Sequence, residues 1–359
     1  MKNIIFLFLF LCVSCNLHSQ WIEGVLLDAK TKEPIADANI YYDGTSIRAR
    51  SDKKGNFRIS DEGMLNTNLV ISHVVYEKKY LSRPFDMTPK ILYLEEKEVD
   101  LNDVVIVADI FTWKQKIEAF RKAFLGSDWY GKQCVILNEK DIRIRYDEDR
   151  QMLHASSDKP IVIENEALAY TLEFTLLSLQ IHYKEPLSLS NSNELGSVFY
   201  GTSMFIDNIE NGSKKKNQIR SRRNEIYVNS PQFFYKSLVN ESLKEAKFKL
   251  YRGSFGIRPE DCFVIKDTLS MKKVSLIGEK VQSLNAITDK TKGRGPLQDE
   301  YLIQVADRKR KTSNITFYTN SFLVDRFGNT DDVESNIVFS GEFSKYKIGR
   351  MLPIEYETK

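Results

Sequence analysis

A chain of 359 residues, 42% apolar and 28% charged, has the composition of a folded protein and not of a disordered or membrane-embedded one. It is long enough for two domains, since a single core rarely grows past roughly 250–300 residues. A formal net charge of only +3 gives no electrostatic case for a nucleic-acid partner, which demands a concentrated basic face.

At the N-terminus Lys2 precedes the apolar run 4–11, and smaller and polar residues continue to Gln20. That pattern is a secretory signal, about half as long as the roughly 20 residues a bilayer-crossing helix needs. Two processing routes are open. Cleavage after Ser19 makes residues 1–19 the signal peptide; lipidation at Cys15, preceded by Cys12, Val13 and Ser14, leaves an anchored form. The expectation is an exported protein, periplasmic or outer-membrane associated, with membrane association only in the lipidated form. Beyond the leader only Cys134 and Cys262 remain, and a disulfide between them and two buried thiols are both open.

From residue 21 to 95 the segments "WIEGVLLDA", "ANIYYDG", "GNFRIS", "NLVISHVVY" and "KILYLEE" read as short strands punctuated by turns, the spacing of a β-sandwich. Residues 52–55 form a polar turn in which Gly55 can take positive φ. Gly24, Asp28, Thr31, Glu33, Pro34, Ala38, Gly44, Thr45, Asp52, Gly55 and Phe57 together resemble the carboxypeptidase regulatory-like domain, a prealbumin-like seven-stranded sandwich of secreted Bacteroidetes proteins. The resemblance implies a non-catalytic appendage, of the kind carried by zinc carboxypeptidases and placed before TonB-dependent transporters. "EVDLNDVVIVADI" follows and is similar to the segment joining this sandwich to the transporter plug. It reads as an extended linker over 96–110, with a role in TonB-linked uptake as the alternative; too little chain follows for a large transporter barrel.

A β-rich domain with at least two helices is expected over 111–359. Thr112 caps the first helix, Trp113, Ile117, Phe120 and Phe124 make its apolar stripe, and Gly126 ends it. "QCVILN", "DIRIRY", "QMLHASS" and "PIVIENE" read as successive strands. In "LAYTLEFTLLSLQIHY" the alternation changes phase between Leu176 and Leu177, which requires a bulge or a break. Ser230 and Pro231 open a second helix with the stripe Phe234, Leu238, Val239, Leu243 and Ala246. The remainder returns to strands, with a turn at Gly328 and Asn329. "FRKAFLG", "CVILN", "LHASSDKPIVIENEALAY", "NSPQFFYKSL" and "SGEFSKYKIGRMLPIEY" resemble the C-terminal region of stand-alone carboxypeptidase-like regulatory domain proteins of Bacteroidetes, a family of unknown function. Asn229, Phe343, Gly349 and Arg350 depart from that pattern.

Catalytic signals are sparse. Of His73, His154 and His182 only His182 has the Glu three positions away that a zinc carboxypeptidase uses, Glu185, and no further ligand pattern accompanies it. "GTSMF" at 201–205 lacks the closing Gly of a nucleophile elbow. Asp147, Glu148 and Asp149 read as solvated turn charge rather than a glycosidase pair, and no phosphate-cradling "GxxxxGK" occurs. Lys214, Lys215, Lys216, Arg220, Arg222 and Arg223 read as a solvated connector, with an anionic-glycan surface as the alternative. "DTL" at 267–269 resembles an O-glycosylation acceptor, which makes Thr268 a candidate. The reading is a mainly β, non-catalytic cell-envelope protein without metal or cofactor, binding an envelope protein or glycan. An accessory of TonB-dependent uptake and an unrecognised hydrolase are the alternatives.

Overall fold

The computed structural model describes residues 20–61, 67–82, 91–97, 110–209, 215–268, 271–283, 298–331 and 336–358. The expected leader, Cys15 and residues 98–109 of the expected linker lie outside them. Among the described residues no helix is long and apolar enough to cross a membrane. The chain divides into two compact units, one of residues 1–42 and 47–99, the other of residues 43–46 and 100–359.

In the first unit β1 (Gln20–Asp28) pairs antiparallel with β4 (Asn56–Asp61) and parallel with β7 (Ile91–Leu94). A second sheet has the order β3 (Arg48–Arg50), β2 (Asn39–Tyr42), β5 (Leu69–Ser72) and β6 (Lys79–Leu81). The unit is thus a seven-stranded sandwich. Alternation sends Leu26, Ile40, Ile59, Leu69 and Ile71 into its core. The two strands that the apolar pattern does not reveal, β3 and β6, are polar edge strands with little to bury. "NLVISHVVY" contributes strand only to Ser72, and Val74 beyond it is 82% exposed. Gly55 has φ +76°, and a Cβ there would lie 2.4 Å from the Leu26 carbonyl oxygen, so this turn admits only glycine without rearrangement.

The second unit is built on two cores. Around the first, a six-stranded sheet has the path β8 (Cys134–Ile136), β11 (Ile161–Asn165), β12 (Tyr170–Tyr183), β10 (Met152–Ser157) and β9 (Ile142–Asp147); β13 (Glu194–Asp207) lies along the other side of β12. The phase change in β12 is a bulge. Leu176 pairs with Gly201 and Ser178 with Tyr200, which leaves Leu177 as the extra residue, 60% exposed, while Leu179, Ile181 and Tyr183 return to the core. Helix α1 (Trp113–Leu125) packs on this sheet through Ile117, Phe120 and Phe124. A full capping box between Thr112 and Gln115 starts it and Gly126 caps its end. Trp113 does not join the stripe; it is 45% exposed in the first turn. The one-turn α2 (Trp129–Lys132) follows.

After helices α3 (Lys216–Tyr227) and α4 (Pro231–Val239), the second core is enclosed by two further sheets. One has the path β15 (Phe255–Ile257), β14 (Lys249–Arg252), β19 (Gln298–Ala306), β20 (Thr312–Phe317) and β22 (Ile337–Gly341), with β18 (Val281–Ser283) paired to β19. The other has the order β16 (Phe263–Asp267), β17 (Lys272–Leu276) and β21 (Ser321–Val324). Ser230 caps α4 by accepting from the Phe233 amide at 3.0 Å, and Pro231 fills its first position. Leu243 and Ala246 belong to the same core but follow the helix in turns. At the expected turn, Asp325 Oδ1 accepts from the Phe327 and Asn329 amides, and Gly328 has φ +93°. Residues 348–352 return to the first core, which includes Ile348 and Leu352.

Candidate functional site

The basic stretch expected as a solvated connector is corrected by the structure: from Lys216 onward it is helix α3. Ile219, Arg223, Ile226 and Tyr227 are buried at helical spacing, so the stripe carries an arginine at its centre. The charge hides the apolar periodicity that would reveal the helix.

Arg223 has a 4% exposed side chain and is fully engaged. Nε donates to the Leu168 carbonyl at 2.8 Å, and Nη2 to the Ala169 carbonyl at 3.0 Å. Nη1 and Nη2 form a bidentate pair with Asp207 at 2.9 Å each, and the guanidinium lies 3.6 Å from the centroid of the Tyr170 ring. Ala169 is held at φ +51° in the turn between β11 and β12, so Arg223 clamps a strained turn to the end of β13. Burial alone would raise the Asp207 carboxyl; the hydrogen bond and charge of Arg223 outweigh it and hold the group below the usual carboxylate range.

Beside this clamp lies a cavity of about 710 Å³ within the second unit. Lys216, Arg220 and Asn224, four residues apart along α3, line one side. Glu355, Tyr356 and Glu357 line another, with Tyr170 and Asp207 near the clamp. Tyr356 Oη donates to Asn224 Oδ1 at 2.5 Å. Glu357 pairs with Lys236, and Glu355 Oε1 accepts from the Ser46 amide at 2.8 Å and hydroxyl at 2.6 Å. The other oxygen, Glu355 Oε2, is buried and has no hydrogen-bond partner among the described residues. A cavity with cations and an amide on one wall and carboxylate side chains on the other can hold a polar ligand by both donors and acceptors.

The structure does not gather the remaining sequence candidates here. His73, in the first unit, accepts from the Val75 amide at 3.2 Å. His154 and His182 lie on neighbouring strands of the first sheet, in diagonal register. Burial pushes both imidazoles down, and the charge of His154 adds to the effect at His182. Asp147 accepts from the Arg150 amide in a surface turn that Glu148 and Asp149 share. "GTSMF" is an internal stretch of β13, not a strand-to-helix elbow. Cys134 and Cys262 are buried free thiols, in the first and second cores respectively, and burial pushes the Cys134 thiol up to about 12. Thr268 is exposed after β16, where its hydroxyl donates to the Met271 carbonyl at 2.6 Å. Among the described residues no group of three or more His, Cys, Asp or Glu side chains is placed to hold a metal ion. Sequence reasoning missed Tyr356, Glu355 and Asp207, which come from segments far apart in the chain.

The architecture of the first unit is that of a seven-stranded regulatory-type sandwich. Residues 22–106 match the model of the CarboxypepD_reg-like domain, so the chain carries that domain at its N-terminal side. No curated protein matches the chain.

Proposed function

We propose that this is an exported, non-catalytic cell-envelope protein of a Bacteroidetes source that acts by binding, with the sandwich as an interaction module and the α3 cavity as a glycan site. The observation that carries the reading is the lining of that cavity, where Lys216, Arg220 and Asn224 stand with Glu355 and Glu357. Glu355 Oε2, buried and without a partner among the described residues, is an unmade hydrogen bond worth about 1–3 kcal/mol that a ligand hydroxyl recovers when the side chain turns into the cavity. Binding is favoured over hydrolysis because the neighbouring carboxylates are committed: Asp207 to Arg223 and Glu357 to Lys236. The Asp207 carboxyl, held down by Arg223, is a poor proton donor near neutral pH. The regulatory-type domain at 22–106 supports the same reading. Thr268, exposed in its turn, is the proposed O-glycosylation position.

The test is calorimetric titration of the mature protein with neutral and acidic oligosaccharides, alongside Glu355→Gln and Arg220→Ala. An oligosaccharide whose affinity falls in both variants supports the reading; turnover of an oligosaccharide that is lost in Glu355→Gln would overturn it. Intact mass of the mature protein tests export: a start at Gln20 or a lipidated Cys15 agrees with it, and a full-length product does not.

A further inference from the structure

The sheet that runs from β15 to β22 turns Leu250, Ile303, Val305, Ile315 and Phe317 into the second core. Alternation places Lys249, Tyr251, Gln304 and Thr312 on its other face, where Lys249 pairs with Ala306, Tyr251 with Gln304 and Ala306 with Thr312. A groove of about 940 Å³ opens over that face. Six exposed cations line it: Lys244, Lys247, Lys249, Arg258, Arg308 and Arg310. The chain as a whole has a net charge of only +3, so this is a strong local concentration of charge.

The charge is not spent internally. Arg258 pairs with Glu260 and Asp261, but among the described residues no carboxylate pairs with the other five. Asp307, the one acid among the described lining residues, is buried and turned into its own loop, where Oδ1 accepts from the Lys309 and Lys311 amides at 2.8 and 2.9 Å. Two of the cations, Lys247 and Arg310, are held at φ +65° and +61°, a conformation that non-glycine residues adopt at a cost and that recurs at ligand clamps. On the floor Tyr251 faces Gly256 across the strand pair, and a Cβ at Gly256 would meet nothing within 4 Å, so the space over Gly256, beside Tyr251, is open among the described residues.

We infer that this groove is a second binding site, for an acidic polysaccharide: lysines and arginines along the rim take its carboxylates, the Tyr251 ring takes the apolar face of a sugar and the Gln304 amide takes its hydroxyls. With Phe248 buried in the second core and Tyr251 the one other ring among the described lining residues, the concave floor fits a saccharide chain better than single-stranded nucleic acid, whose binding platforms stack successive bases on several rings. A flat anionic membrane would not reach Tyr251 and Gln304 on the floor.

The experiment is titration of the mature protein with polygalacturonate, neutral dextran, oligothymidylate and phosphatidylglycerol vesicles at low and moderate salt. Polygalacturonate binds and dextran does not. Lys244→Glu/Arg308→Glu, which avoids the two positions of positive φ, lowers polygalacturonate affinity about tenfold or more and flattens its salt dependence. Tyr251→Ala lowers it about three- to tenfold with the salt dependence unchanged. Unaltered polygalacturonate binding in both variants overturns the proposal, as does tighter binding of oligothymidylate or vesicles. The inference does not rest on the α3 cavity: loss of polygalacturonate binding in Arg220→Ala, with the groove variants unaffected, moves that ligand to the cavity and removes it from the groove.

Discussion

Asp43, in the segment 43–46 of the second unit, is a carboxyl pushed up to about 6 by burial, against the opposing amide hydrogen bonds of Ser203 and Gly44. The unfolded chain titrates near about 3.9, so between roughly pH 4 and 6 the folded state holds more protons and its stability falls as pH rises. Asp43→Asn is therefore expected to be more stable than the parent by about 1–3 kcal/mol at pH 7 and about equal near pH 4; a difference that stays constant across urea titrations at several pH values refutes this. Glu342 has the opposite sign. Its side chain is 8% exposed, and although burial opposes ionisation, Lys345, Arg350 and Lys311 hold the carboxyl down at about 2. Lys345 Nζ donates to Oε2 at 2.8 Å, Arg350 Nη1 to Oε1 at 2.9 Å, and Arg350 Nε reaches on to Asp128. That contribution is complete above about pH 5 and is lost as pH falls toward 2; with solvent screening allowed for, it amounts to about 1–2 kcal/mol. Glu342→Gln should remove this part of the acid sensitivity, seen as a shallower fall in melting temperature between pH 5 and 3. Neither residue was legible in the sequence as unusual, because both shifts come from partners that only folding supplies.

At the scale of elements, α3 depends on its buried arginine. Arg223→Lys keeps one charge but cannot satisfy two carbonyls and a carboxylate together, and a destabilisation of about 2–4 kcal/mol is expected in denaturant melts. A variant within about 0.5 kcal/mol of the parent would show the clamp to be dispensable. Residues 348–350, a short 3-10 turn, seat against α2 by close backbone approach: a Cβ on Gly349 would lie 2.6 Å from the Gly131 Cα and amide nitrogen. Gly349→Ala should thus cost about 1–3 kcal/mol, measured in the same way. Elements marked by caps and clean periodicity were readable in advance: Thr112 and Gly126 bounding α1, Ser230 and Pro231 opening α4, and the bulge at Leu177. Those whose register is set by neighbours were not. The edge strands β3 and β6 bury too little to alternate, and α3 carries its key residue as a charge in an apolar stripe. The α3 cavity was half legible through Arg220 and Lys216; the groove was not singled out, although the run of cations at 308–311 is its visible trace.

Across the molecule, the sandwich is held by its own core, while the second unit has two cores that Phe233 and Tyr346 both touch. Removal of residues 342–358 takes Phe343 from the second core and Ile348 and Leu352 from the first, and leaves Asn165 without the Gly349 carbonyl to which it donates at 3.0 Å. The truncated chain is expected to bind a hydrophobic dye and to lose cooperative melting of the second unit, whereas the intact chain does neither; a cooperative, dye-silent product refutes this. The return of residues 348–352 also sets an order in time. The rest of the first core has been made by residue 227, yet it waits about 120 residues for its closing piece, at a synthesis rate of about 5–20 residues per second. During those seconds the elements from α1 to α3 lack Ile348 and Leu352, which complete their core. A core completed so late leaves the segment 111–227 open to chaperones while residues 228–347 are still being made, although the sandwich ahead of it can already fold.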